Sequence, residues 1–146
     1  MNRNFVEMLS ELCAAGAEFL VIGAHAVALH GYLRGTRDLD VWIRPTPENA
    51  QRVWRALLNF GAPLRDVTVH DLSTPGMIYQ IGVEPARIDL LTAPAGVEFE
   101  KAWPNRLVVV IDDVSIPFIG KADLIEAKRA AGRRQDLLDL DHLESQ

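Results

Sequence analysis

The sequence predicts an α/β protein in which helices cover a β-sheet. Apolar residues at helical spacing open the chain, at Phe5, Met8, Leu9 and Leu12. Short apolar runs such as FLVI and DVWI then alternate with longer helical stretches, and Gly or Pro residues separate them. Strands interleaved with helices on this scale fit neither a bundle nor a sandwich.

Taken in order, the first helix ends near Gly16, and EFLVIG at 18–23 reads as a buried strand. AHAVALHGY forms a short helix ending around Gly31, and DLDVWIR is the second strand. Pro45, Thr46 and Pro47 break the chain before a helix from Glu48 to Phe60, which carries Val53, Leu57 and Leu58 on one side. Gly61 and Pro63 close it. MIYQIGV and ARIDLLT form a hairpin turning near Glu84 and Pro85, and RLVVVIDDVSIPFI gives two more short strands with a turn near Asp112 and Asp113. From Lys121 the chain is helical, interrupted at Gly132, and its last segment directs Leu137, Leu138 and Leu140 inward. No internal repeat, linker or low-complexity segment is visible, so one domain over 1–146 is expected. Periodicity alone leaves the topology open.

The 146 residues, 49% hydrophobic and 24% charged, suffice for a core without disulfides or structural metal. A net charge of -5 makes nonspecific attraction to nucleic acid or an anionic membrane a poor organising theme, so any polyanion site is local. The single cysteine, Cys13, excludes an internal disulfide and cysteine-rich zinc patterns and suits a reducing compartment. Glu7 and Glu11 interrupt the N-terminal apolar pattern, unlike a signal peptide, and no apolar run is long enough to span a bilayer. A cytoplasmic protein is expected.

The chemistry concentrates in RGTRDLDVWIRP at 34–45. Strand alternation puts Asp38, Asp40 and Trp42 on one face and Leu39, Val41 and Ile43 on the other. The apolar face is core. The paired carboxylates repel and raise each other's pKa unless a cation compensates them, a divalent metal being one candidate and a solvated strand face the plain alternative. In ARIDLLT the same alternation brings Asp89 out beside Arg87 and Leu91. If that strand adjoins the first, three carboxylates can converge on Mg²⁺, which prefers oxygen ligands and keeps waters for a phosphate.

These residues carry a resemblance. FLVIGAHAVALHGYLRGTRDLDVWI, followed by RIDLL and IPFIGKADLIEAKRAAGRRQDLLDL, resembles the nucleotidyltransferase superfamily related to DNA polymerase β, especially its small bacterial branch of AbiEii-toxin-like proteins. The resemblance implies that superfamily's fold, a mixed β-sheet flanked by helices with a short C-terminal helical segment. It also implies Mg²⁺-dependent transfer of a nucleoside monophosphate from an NTP to an acceptor hydroxyl on RNA or tRNA, a protein or a small molecule. One or two ions are implied, with Mn²⁺ as a substitute, and a toxin-antitoxin setting would add a cognate antitoxin or partner protein.

By position, the resemblance makes Gly23 the phosphate turn, Asp38 and Asp40 the metal pair, and Asp89 a third ligand and general base. It brings in Lys128 and Asp136 from the C-terminal segment. Glycine permits close backbone approach, and the start of the helix near Ala24 favours an anion. The turn departs from the superfamily's usual Gly-Ser or Gly-Gly: Ala24 and His25 follow Gly23, so the phosphate-binding hydroxyl is missing, and Arg34 and Thr36 are the candidate substitutes. The alternative is a noncatalytic nucleotide- or partner-binding module retaining the fold.

Among the remaining polar residues, Lys121 and Lys128 share a helix face, and Arg133 and Arg134 follow Gly132. His25 is a candidate to face the nucleotide, whereas His30, five residues on, points elsewhere and packs. His70 and His142 have no visible companions. Trp42 either stacks on a base or packs.

Overall fold

The computed structural model describes residues 1–32, 38–83, 86–93 and 96–145. Its elements, in order, are α1 (Arg3–Ala14), β1 (Phe19–Ile22), α2 (Gly23–Leu29), β2 (Leu39–Ile43), α3 (Pro47–Phe60), α4 (Val69–Leu72), β3 (Ile78–Ile81) and β4 (Ile88–Leu91). They continue with α5 (Phe99–Ala102), a 3-10 turn (Trp103–Asn105), β5 (Leu107–Ile111), β6 (Val114–Phe118), α6 (Lys121–Ala131) and α7 (Arg134–Glu144). The expected mixed sheet flanked by helices is present, ordered β3-β4-β2-β1-β6-β5. β2 runs parallel to β4 and antiparallel to β1; β1 runs parallel to β6, and β3 and β5 are antiparallel edge strands.

The back of the sheet follows the alternation. Leu39, Val41 and Ile43 are fully buried, as are Met8, Leu9 and Leu12 of α1, which packs on α3 and β6. α3 begins where expected: Thr46 caps the Asn49 amide, Pro47 occupies the first turn, and Gly61 ends the helix in the left-handed region. Val53 and Leu57 are buried, but Leu58 is 56% exposed. Ala50, Val53, Ala56 and Leu57 already complete the inward stripe, and the next residue turns to solvent.

The last helix departs further from expectation. Leu137 and Leu138 are exposed, and the inward face of α7 is Asp136, Asp139, Leu140 and Leu143. Only Leu140 of the three leucines expected inside lies there, because a buried cation draws the two aspartates inward. α4, α5 and the 3-10 turn are too short to show a period and were not expected. The predicted turn at Glu84 and Pro85 lies outside the described residues.

A buried side chain fixes the first two strands at the end remote from Gly23. Asn49 is 1% exposed; its Oδ1 accepts from the Glu18 amide at 2.7 Å, while its Nδ2 donates to the carbonyls of Glu18 at 2.9 Å and Arg44 at 3.0 Å. One amide thus joins α3 to the entry of β1 and the exit of β2. Asn49→Ala leaves the Glu18 amide without its partner and removes one donor each from the Glu18 and Arg44 carbonyls, which keep the Arg44 and Thr46 amides. The three lost bonds should cost roughly 3 kcal/mol in urea unfolding, and a loss under about 1 kcal/mol would contradict this role.

Candidate active site

β2 and β4 lie side by side in parallel, and their register sets Asp40 directly against Asp89. Both carboxylates line a cavity of about 340 Å³ with Gly23, Lys128, Arg133 and Asp136. Gly23 is held at φ +70, and a Cβ there would sit 2.2 Å from Asp40 Oδ2. Glycine is therefore required twice at this turn, by the backbone and by the carboxylate behind it.

Burial pushes the Asp40 carboxyl up to about 6; the charges of Asp89 and Asp38 and hydrogen bonding with Asp89 add to the rise, and Lys128 opposes it. The two carboxylates are thus forced together with too little positive charge between them.

Arg87 supplies part of that charge. Its Nε donates to Asp89 Oδ1 at 2.8 Å and a terminal nitrogen to Asp89 Oδ2 at 3.2 Å. The same guanidinium lies 3.3 Å from Asp38 Oδ2, and the Arg87 amide donates to Asp38 Oδ1 at 3.1 Å. Arg87 thus braces two of the three aspartates. The sequence places it beside Asp89 but shows nothing of the long-range contact with Asp38.

The opposite wall comes from α6 and α7. Lys128 is 8% exposed, with Nζ 3.1 Å from Asp136 Oδ1 and 3.0 Å from Asp139 Oδ2. Arg133 Nε donates to Asp136 Oδ2 at 2.7 Å, and Gln135 holds Asp139 at 2.9 Å. Burial opposes ionisation of Asp136, but hydrogen bonds from Arg133 and Lys128, and their charges, outweigh it and hold its carboxyl below the ordinary value. The hydrogen bond and charge of Asp136 in turn raise the Arg133 pKa. Asp139 went unassigned in the sequence; its one available signal is the i, i+3 spacing from Asp136.

Of the residues singled out from sequence, Gly23, Asp40, Asp89, Lys128, Arg133 and Asp136 meet at this cavity. Asp38 is held by Arg87 and is not among the lining residues. Ala24 follows Gly23 in α2 but does not line the cavity. The His25 ring sits edge-on to Phe5 at 5.7 Å, with burial and then the positive N-terminus lowering its pKa, so its side chain serves α1 packing and does not face the cavity as expected. His30 packs, its Nε2 lying 2.8 Å from the Ile119 carbonyl. His142 stacks on Tyr32 at 3.6 Å, a companion the sequence does not reveal. Trp42 packs edge-on to Phe99 at 5.1 Å and is 1% exposed. Arg34 and Thr36 lie outside the described residues.

Among the described residues, no group of three or more His, Cys, Asp or Glu side chains is arranged to hold a metal ion. The donor chemistry at the cavity nonetheless suits a hard divalent cation, since Asp40 and Asp89 present crowded carboxylate oxygens whose repulsion a cation relieves. Asp38 would complete such a set on leaving Arg87.

The comparisons agree with this architecture. Residues 4–144 match the model of a family described as nucleotidyltransferase of unknown function (DUF6036), and the chain belongs to that family. Among solved structures it is similar to the lincosamide antibiotic adenylyltransferase LnuA in its lincomycin-bound form, with 18% identity and a TM-score of 0.64 over 99% of this chain and 97% of that one. It is also similar to TM1012 from Thermotoga maritima, assigned as a nucleotidyltransferase, with 16% identity and a TM-score of 0.62 over 98% and 91% of the two chains. The fold is that of the superfamily related to DNA polymerase β. No curated protein sequence matches the chain. No helix among the described residues is long and apolar enough to cross a membrane.

Two measurements follow. Because the folded pKa of Asp40 lies above its ordinary 3.8, its contribution to stability is intact below that value and is lost as pH rises through about 6. The metal-free Asp40→Asn variant should therefore gain on wild type across that window, by at most about 3 kcal/mol at neutral pH; a stability difference that stays flat with pH would refute the strain. Lys128→Met leaves Asp136 and Asp139 short of their shared cation and should cost about 3 to 5 kcal/mol in denaturant unfolding.

Proposed function

We propose that this chain, acting as a single catalytic domain, transfers a nucleoside monophosphate from an NTP to an acceptor hydroxyl and releases pyrophosphate. The observation that carries the reading is the in-register pair Asp40 and Asp89 lining one cavity with Gly23 in front and Lys128 and Arg133 opposite. Family membership supports nucleotidyl transfer as the reaction class.

Asp38, Asp40 and Asp89 would hold Mg²⁺, with Mn²⁺ as a substitute. Bound there, the cation would supply charge neutralisation at the phosphates and a lowered pKa for the attacking hydroxyl. Gly23, bare of a side chain, lets the triphosphate approach the backbone, while Arg133 and Lys128 offer it positive charge. Asp89 receives the acceptor's proton as the hydroxyl oxygen bonds the α-phosphorus and the bond to the β-phosphate oxygen breaks. Arg87 orients Asp89 through its two hydrogen bonds.

LnuA adenylylates a lincosamide antibiotic, so a small hydroxylated molecule stands beside RNA or tRNA and protein as an acceptor class for this chain. A toxin-antitoxin role with a cognate antitoxin rests on the AbiEii-like resemblance alone, and growth inhibition on expression that disappears with Asp38→Ala would support it.

The grip of Arg87 on Asp38 and Asp89 favours a second reading, a noncatalytic module that keeps the fold. Incubation with each α-labelled NTP, Mg²⁺ and a cell extract containing RNA, protein and small molecules decides between them. Wild type should label an acceptor and release pyrophosphate, with Asp40→Asn reduced at least about 100-fold. Label that never leaves the NTP, together with calorimetry showing no Mg²⁺-dependent NTP binding, would overturn the enzymatic reading.

A further inference from the structure

β5 ends the sheet, with β6 on one side and no strand on the other among the described residues. Edge strands are normally blunted by charge, proline or a bulge, because their free amides and carbonyls invite another strand. β5 has none of these between Leu107 and Ile111. All five residues are apolar, and Leu107, Val108 and Val110 are 47%, 52% and 66% exposed.

The backbone shows which groups face outward. Asp112 and Asp113, at φ 49 and 66, form a two-residue turn joining Ile111 to its direct partner Val114. Such a turn closes on a hydrogen-bonded pair, and the ladder then alternates. Leu107, Val109 and Ile111 therefore spend their amides and carbonyls on β6, while those of Val108 and Val110 point to the open edge.

The flanking charges identify the occupant. Exposed Arg106 precedes the strand and exposed Asp112 follows it, so the segment runs positive, five apolar residues, negative. Reversed, it complements itself. We propose that β5 pairs antiparallel with β5 of a second copy of this chain, centred on Val109, joining the two six-stranded sheets into one.

In this register Val108 of each copy lies opposite Val110 of the other, so the outward-facing backbone groups meet and exchange hydrogen bonds. The four exposed valine side chains gather into one apolar patch, beside Ser115 and Pro117 of β6. Leu107 meets Ile111, and Arg106 meets Asp112 at both ends. A slip of one residue would oppose outward-facing backbone groups to spent ones. A slip of two would set charges against apolar side chains. Arg106 lies over the Trp103 ring at 4.0 Å and donates to the Trp103 carbonyl, which steadies it at the start of the strand. The contact is short, so association should be concentration-dependent.

The inference is independent of the catalytic reading, and sedimentation of the full chain tests it. The wild-type mass should rise with concentration from 16.2 kDa toward twice that value. Val110→Lys, an exposed change that leaves the circular dichroism intact, should stay monomeric at every concentration. Register is read in a Cys13→Ser background: mild oxidation should link Val109→Cys chains into dimers, since that residue faces its own copy, and leave Val108→Cys chains largely unlinked. A wild-type protein monomeric at its highest soluble concentration, a Val110→Lys variant that still dimerises, or preferential linking through position 108 would each overturn the proposal.

Discussion

The parallel register of β2 against β4 is the constraint on which the site depends. It sets the Asp40 and Asp89 carboxylates side by side in a poorly solvated cavity, and it is enforced from behind, where Leu39, Val41, Ile43, Ile88 and Leu90 fill the core. A slip by one residue would turn those side chains to the cavity and the aspartates into the core, which hydrophobic burial forbids. The apolar face thus supplies the free energy that holds two like charges in contact. Arg87 and Lys128 limit the cost from opposite sides, and neither removes it, as the raised Asp40 shows.

Much of this was legible because it follows from local periodicity. Asp38 and Asp40 stand out because their neighbours alternate so cleanly, and Asp89 because it repeats the pattern. Gly23 was legible as a turn. What the sequence hid is long-range. Arg87 braces Asp38 across the β2/β4 pairing, and His142 finds Tyr32 from the far end of the chain. α7 misled for a more instructive reason: its leucines suggest an apolar inward face, yet Lys128 is buried in the neighbouring helix and the aspartates take the core positions to meet it. An electrostatic demand on one helix set the rotation of the next. His25 fails similarly, its ring drawn to Phe5 rather than to the cavity its position suggests.

The cations around the cavity differ in how tightly they are committed. Lys128 is enclosed by two aspartates, a structural arrangement with little freedom. The Arg133 side chain is 78% exposed and pairs with Asp136, so it is the cation best able to reorient toward an arriving polyanion. Arg87 stands between these cases, partly buried and divided between Asp38 and Asp89. A divalent ion held as proposed by Asp38 and Asp89 would compete with this guanidinium for those oxygens.

The narrow space between Gly23 and Asp40 has an evolutionary corollary. A methyl group at one position would clash with the Asp40 carboxylate at the other, so what one position tolerates depends on the residue at its neighbour. A lineage that gave up the acid would lose the crowding and keep only the left-handed backbone, which asparagine tolerates. A glycine retained beside a lost aspartate would then answer to the backbone alone, which at φ +70 still strains most side chains.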